Sequence, residues 1–285
     1  MLYALNINFL IKCIGGLFFF YLISAPREVF KGEKDNVLIV SYTLDIKKMK
    51  NSSKRSKEAV KLFISPKESV FIDNKLLLKN IALEKAISPQ ERASELSMIG
   101  LPWFKCTIVK NFEERNTTVI EEHLQKQYNA YRRASMNPQN WNIISNGDSI
   151  ISGMQCFKAE CQFGEREWIA WFTPEIPVSD GPYKFAGLPG LILRIVSKEG
   201  DYIFHISGLE RQLPEKLLHI PPNYHLIDEE RFKEIQQRIR DNPFEQMESN
   251  GGAIVGDIRI SGKSMTKEEL MLFIKKEQRD YNYIE

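Results

Sequence analysis

Residues 157–173 read FKAECQFGEREWIAWFT, and the placement of Gly164 within them decides the architecture of the surrounding chain. A two-residue loop with glycine first is what a type II′ hairpin requires, so Phe163 is expected opposite Arg166. That register sets Cys161 opposite Trp168, Ala159 opposite Ala170 and Phe157 opposite Phe172, all on one apolar face. Gln162, Glu160, Lys158, Glu167, Ile169 and Trp171 take the other face. A slip by one residue would mix the two sets, so the register is well determined. Cys156 and Cys161 then point to opposite faces and are not expected to bond to each other. Cys161 reads as a core residue, whereas Cys156 could meet Cys106 or stay free.

A second hairpin follows downstream. Leu191–Ser197 and Tyr202–Gly208 are joined by Lys198-Glu199-Gly200-Asp201, which places Ile195 opposite Phe204 and Leu193 opposite Ile206. The opposite face carries Arg194 facing His205, flanked by Ile192, Val196 and Ile203. A polar pair among aliphatics suggests a partly covered face. Either a helix or loop packs over it, or it lines a ligand groove. For the groove the expected ligand-binding residues are Ile169, Trp171, Ile192, Arg194 and His205, with Val196 and Ile203 beside them, and the ligand is a small apolar molecule such as a lipid.

Other strands are read at Asn36–Asp45, Lys61–Ile64, Ser69–Asp73, Trp103–Val109, Thr117–Glu122 and Asn140–Ser145, from their β-branched content and alternation. Asn146-Gly147 reads as a hairpin turn, and a helix around 75–100 is expected to break at Pro89. Asp228 can cap a helix running to Arg240 with Phe232, Ile235 and Ile239 on one stripe. Thr266 and Glu269 form a capping box ahead of Leu270, Phe273 and Ile274, and Ala253–Ser261 reads as a strand. The expected fold class is mainly β (α+β): an antiparallel meander forming a curved sheet or half-barrel, with helices in the C-terminal part from about residue 228.

The first 25 residues stand apart. Lys12 precedes the apolar run Cys13–Ala25, CIGGLFFFYLISA, which is the pattern of an export signal and short for a membrane span of roughly 20 residues. A cleaved signal, an uncleaved N-terminal anchor and a buried helix are the three readings. The first two place the chain in the periplasm or outer cell envelope, with a β-rich domain over 26–285.

Composition excludes some functions. The chain has 285 residues, 43% hydrophobic, with 39 basic and 37 acidic residues. This is enough apolar material for a core, and no concentrated basic face of the kind phosphate backbones require is evident. The basic run Lys47–Lys61 lacks aromatics and reads as a solvated loop, so no nucleic-acid partner is expected. The four histidines, His123, His205, His219 and His225, show no zinc spacing or nucleophile motif. His219 and His225 straddle Pro221-Pro222 and could supply two ligands, but loop placement is the simpler reading. Glu175 and Asp180 could form a carboxylate pair, and Gly181 and Gly187 fit no phosphate loop. No catalytic residue, metal or cofactor is expected, and a hydrolase is the least favoured reading.

Between the two hairpins lies Thr173–Gly190, TPEIPVSDGPYKFAGLPG, rich in proline and glycine. With Gly187-Leu188-Pro189-Gly190-Leu191-Ile192, and with Cys156, Lys158-Ala159, Trp171-Phe172-Thr173, Ile176-Pro177 and Gly181-Pro182-Tyr183-Lys184-Phe185, the chain resembles the GLPGLI family over about residues 141–208. The resemblance implies a signal-bearing envelope protein of Bacteroidetes-type bacteria whose activity is not established, and it carries over no catalytic residues. Physically, Gly187 and Gly190 permit positive φ, and Pro189 pushes Leu188 toward an extended conformation. The segment either shapes the chain structurally or presents a surface. In the second case Tyr183, Lys184, Phe185 and Leu188 are the expected partner-binding residues, and the protein would join an envelope complex through this loop.

Overall fold

In the computed structural model, residues 37–50, 52–84, 88–123, 127–134, 139–212, 223–242, 258–260, 263–269, 271–272 and 284 are described. Residues 1–25, read above as a signal or anchor, and His219, Leu270, Phe273 and Ile274 lie outside them.

A chain of strands leads outward from the centre of one sheet: β1 (Val37–Ile46), β2 (Ser56–Ile64), β3 (Glu68–Asp73), β4 (Cys106–Asn111), β5 (Asn116–His123) and β6 (Gln127–Arg133). The chain then starts again at the far edge with β7 (Asn142–Ile151) and returns through β8 (Met154–Phe163), β9 (Arg166–Thr173), β10 (Leu191–Ser197) and β11 (Tyr202–Gln212). β11 pairs antiparallel with β1, so two meanders meet at a central seam. The short β12 (His225–Leu226) adds in parallel beside β6, giving the order β12-β6-β5-β4-β3-β2-β1-β11-β10-β9-β8-β7.

This topology forces curvature. β6 and β7 are ten strand spacings apart, an arc of about 48 Å at ~4.8 Å per spacing. Yet the segment joining Arg133 to Asn142 can reach only about 30 Å. The sheet must therefore curl toward a half-barrel, the curved antiparallel architecture expected from the sequence.

Most strand expectations are met. Both hairpins have the predicted register, Phe163 with Arg166 and Cys161 with Trp168 in one, Ile195 with Phe204 and Arg194 with His205 in the other. Gly164 has φ +60° and Glu165 is not left-handed, as a type II′ turn requires. Asn146-Gly147 is not a turn, however. β7 runs through it with a register shift between Ile144 and Ser149, and the chain reverses at Ser152-Gly153, both at positive φ. An Asn-Gly pair suits a bulge as well as a hairpin, since both need a residue that tolerates unusual φ. β6 and β12 were not legible from sequence.

Helices also depart in part from expectation. Pro89 does not break a helix. It opens a second one, because proline lacks only an N–H that the first turn leaves unbonded anyway. The result is α1 (Asn74–Glu84) followed by α2 (Pro89–Ile99), well before the C-terminal part. Late in the chain α3 (Glu229–Asp241) begins where predicted, with Asp228 accepting from the Arg231 N–H at 2.7 Å. The capping box also forms: Glu269 accepts from the Thr266 N–H at 2.9 Å, and Thr266 Oγ1 from the Glu269 N–H at 3.2 Å. Of the strand expected over 253–261, the described part is β13 (Ile258–Ile260), paired with β14 (Lys263–Met265).

The two faces of the sheet are packed differently. On the outer face, Val37, Ile39, Phe63, Val70 and Ile72 are buried together with Leu76 and Leu77 of α1. The inner face is larger and gathers Val40, Tyr42, Leu44, Leu62, Phe71, Ile108, Trp168, Phe172, Ile195 and Phe204. What closes this inner face is the proline- and glycine-rich segment before β10.

Candidate functional site

Residues 174–190 fold back into the hollow of the sheet. Val178, Tyr183, Phe185 and Leu188 are buried within the inner core. The Phe185 ring sits 4.7 Å from that of Trp168 and 5.3 Å from that of Phe163, and Tyr183 stacks on Phe104 at 5.2 Å. Full burial of each such side chain contributes about 1.5–3 kcal/mol. Tyr183 is held in the left-handed region at φ +56°, an uncommon conformation for a bulky residue. Packing against Phe71 and Phe104 holds it there.

The segment brings backbone polar groups inside, and the sheet supplies their partners. Lys110, on the same face of β4 as Ile108, donates from Nζ to Asp180 Oδ1 at 2.5 Å, to the Gly181 carbonyl at 2.7 Å and to the Phe185 carbonyl at 3.0 Å. Both side chains of this ion pair have no exposed surface. Burial pushes the Lys110 ammonium below its usual range, with Asp180 opposing. Gln139 donates to the Lys184 carbonyl at 3.0 Å, Trp141 Nε1 to that of Ala186 at 2.8 Å, and the Tyr42 hydroxyl to that of Ile192 at 2.7 Å. Burial, with the Asp180 charge adding to it, holds the Tyr42 phenol well above its usual range.

Both motif glycines take the positive φ expected of them, Gly187 at +100°. Gly190 has φ +153°, and a Cβ there would lie 2.2 Å from the Thr173 carbonyl oxygen. At Gly181 a Cβ would meet the Ile192 side chain at 2.8 Å. Both reflect close approach of one strand of chain to another.

The expected partner-binding residues Tyr183, Lys184, Phe185 and Leu188 are thus core residues, each at most 5% exposed. The aromatic-cation cluster exists, with the Lys184 ammonium 5.0 Å from the Tyr183 ring centre and 5.7 Å from that of Tyr131, but it is turned inward. Apolar side chains on a stiff segment suit a core as well as a surface, and sequence alone does not separate the two. Only Pro174, Glu175 and Pro189 of this segment are exposed.

The expected ligand-binding residues divide. Ile169, Trp171 and Arg194 lie half-buried on the outer face, with His205 exposed beside them. Pairing sets Lys158, Trp171, Arg194, His205 and Thr43 in one row across β8, β9, β10, β11 and β1. The Arg194 guanidinium stands 5.0 Å over the Trp171 ring. The aliphatic row Ile169, Val196, Ile203 runs alongside. Ile192 is not part of it. A register shift makes Leu193 the extra residue of a bulge, so Ile192 pairs with Phe172, turns into the core and is fully buried. Strict alternation along β10 gave the wrong face for that one residue.

Other candidates disperse. Glu175 is exposed and accepts from the Gln155 N–H at 2.7 Å, while Asp180 is buried against Lys110, so they form no carboxylate pair. Among the described residues Cys106, Cys156 and Cys161 form no disulfide. Burial pushes the Cys161 thiol up to about 12 and raises that of Cys156. His225 lies exposed on β12, and among the described residues no group of three or more His, Cys, Asp or Glu is placed to hold a metal ion. Among the described residues no helix is long and apolar enough to cross a membrane.

Comparison with known proteins adds the following. No curated protein matches the sequence. The fold resembles that of PNGF-II, solved in space group C2, with a TM-score of 0.53 and 14% identity over 72% of this chain and 33% of that one. The chain therefore spans about a third of the length of PNGF-II, and the likeness is one of fold alone. A LolA superfamily protein, NE2245 from Nitrosomonas europaea, aligns with a TM-score of 0.28 and 12% identity, over 68% of this chain and 94% of that one. The Pseudomonas aeruginosa MucA/MucB complex aligns with a TM-score of 0.29 and 8% identity, over 64% of this chain and 54% of that one. Residues 100–194, the stretch from just before β4 into β10 that contains the buried segment, match a family described as "Protein of unknown function (Porph_ging)".

Proposed function

We propose that this chain is an exported, non-enzymatic binding module of the cell envelope that holds an amphiphile on the outer face of β8–β11. The apolar part of the ligand rests on Ile169, Val196 and Ile203, and its anionic head meets Arg194 and His205. The observation carrying this reading is the Arg194–Trp171 stack, half-buried on a sheet face that no described helix covers. A guanidinium held over an aromatic ring keeps the N–H groups of its planar edge available for a carboxylate or phosphate. Among the described residues no carboxylate forms an ion pair with Arg194. Lys158, by contrast, is engaged by Glu160 at 2.8 Å.

The inner face is the less favoured place for a ligand, because the protein's own residues 174–190 occupy it. A carrier with its cargo inside the half-barrel would first have to expel a segment tied down by Lys110, Gln139 and Trp141. An envelope partner docking on this segment would be limited to Pro174, Glu175 and Pro189. Export, the GLPGLI-type character of the chain and its place in the periplasm or outer envelope rest on the apolar run Cys13–Ala25 behind Lys12 and on the motif around Gly187.

Co-sedimentation with lipid vesicles tests the ligand site. Binding to vesicles containing phosphatidylglycerol is expected, with little to vesicles of phosphatidylcholine alone. Arg194→Ala should weaken it about fivefold, the worth of one basic residue at an anionic lipid surface. Equal binding to both vesicle types, or an Arg194→Ala protein that binds like the parent, would refute the reading.

A further inference from the structure

The buried pair Lys110–Asp180 stands in unusual surroundings for two charges. Neither side chain has any exposed surface, and the residues paired with Lys110 across the sheet are Ser69 and Thr117, whose buried hydroxyls find no hydrogen-bond partner among the described residues. Moving a charge out of water is expensive, and here the carboxylate is only half compensated. Asp180 Oδ1 accepts from Lys110 Nζ and from the Gly181 N–H at 2.7 Å, but Oδ2 is buried with no hydrogen-bond partner among the described residues. Among the described residues no second carboxylate forms an ion pair with Lys110. Three oxygen acceptors hold Nζ in a fixed place, a hydrogen-bond length from the carboxylate, and the carbonyls of Gly181 and Phe185 prevent it from turning away.

We propose that Lys110 and Asp180 are joined covalently, by a side-chain amide between Nζ and Cγ that ties β4 to the buried segment. One ammonium proton passes to the carboxylate, which turns the ion pair into an amine and a carboxylic acid. Nζ attacks Cγ, one C–O bond breaks, and that oxygen leaves as water carrying two of the three original ammonium protons. The nitrogen keeps the third, which donates to the Gly181 or Phe185 carbonyl. The step is a condensation and needs no oxidant, reductant or activating co-reactant.

Two physical effects favour it. Burial depresses the Lys110 ammonium, which favours the nucleophilic amine at the position its three acceptors fix. Fixed juxtaposition replaces a bimolecular encounter, which supplies roughly 7–11 kcal/mol of a barrier in well-oriented intramolecular reactions. The product is an uncharged amide, removing both buried charges and the uncompensated oxygen at once.

Mass spectrometry of the full-length protein, denatured and reduced, tests the proposal. The parent should be lighter by one water than its sequence after any processing, and Lys110→Arg, which keeps the charge but cannot condense, should regain that water. Digestion of the parent should give a branched peptide joining the β4 segment to residues from 174–190. Linear peptides alone from both regions, with the parent at its full sequence mass, would overturn the proposal. Should Lys110→Arg fail to fold, the peptide map of the parent decides by itself.

Discussion

Single residues account for how the buried segment can exist. Gly190 permits the chain to pass against Thr173, and any side chain there collides with a backbone carbonyl that has no freedom to retreat. Gly190→Ala is therefore expected to destabilise the protein by about 2–4 kcal/mol, read as a lowered midpoint in urea with little change in slope. Gly200→Ala provides the contrast: its φ of +76° is strained, but nothing lies within 4 Å of the added Cβ, so the loss should be smaller. Cys161 offers a second check at this scale. Its thiol is pushed up to about 12 by burial, so almost none is thiolate near pH 8. In the native protein Cys161 should resist maleimide and should react promptly once urea unfolds the chain. Rapid native labelling would mean that the inner face opens far more readily than its packing suggests.

At the scale of elements, the docking of α3 on β6 carries a pH dependence. Arg133 donates two hydrogen bonds to Glu229, at 3.0 and 2.6 Å, and Phe232 packs edge-on against Tyr131 at 4.8 Å. The hydrogen bond from Arg133 is the main reason that the Glu229 carboxyl is lowered to about 2. A carboxyl with a folded pKa below its unfolded value stabilises the fold above the unfolded value, near 4.3, and loses that contribution as pH falls toward about 2. Solvent screening keeps the effect small because Glu229 is partly exposed. The protection of α3 amides, taken relative to their intrinsic exchange rates at each pH, should therefore fall between pH 4 and pH 2, about the interval the two values span, and Glu229→Gln should flatten that dependence. Exchange that is equally pH-dependent in both proteins would assign it elsewhere.

Elements also show where sequence reading succeeds. Alternation and turn chemistry identify the register of both hairpins near their turns, since a slip would expose Trp168 in one and Phe204 in the other, but the expected Leu193–Ile206 pair is absent from the ladder, which stops at Arg194–His205. They failed wherever one extra residue enters a strand. The bulges at Leu193 and between Ile144 and Ser149 leave no signature in a period-two pattern, and so Ile192 and Asn146-Gly147 were misplaced. The short, mixed β6 lacks alternation altogether. The apolar character of residues 178–188 was evident, but whether it faced out or in depended on a curved sheet that no local window contains.

For the whole molecule, the filled inner face makes a prediction about cavities. The native protein should bind little of an apolar dye such as Nile red. Phe185→Ala removes the ring that touches both Trp168 and Phe163, and should cost about 3–5 kcal/mol through the space it leaves. If the protein still folds, dye binding should appear in that variant. Strong dye uptake by the parent would instead point to an interior that empties easily, and would revive the inner face as a ligand site.

The central seam has a further consequence for how the chain comes into being. β1 is among the first parts of the described chain to be synthesised, yet it lies between β2 and β11, and Tyr42 pairs with Ile206. At about 5–20 residues per second, β1 waits on the order of ten seconds for its second neighbour. Throughout that interval the β1–β6 meander carries an open hydrogen-bonding flank next to Val40, Tyr42 and Leu44, while the β7–β11 meander is still being assembled. An unfinished chain is thus a template for pairing with its own copies. The last act of folding is the closing of a zip in the middle of the sheet, and whatever slows that closure should show itself first as aggregation of nascent protein, before any loss of the finished fold.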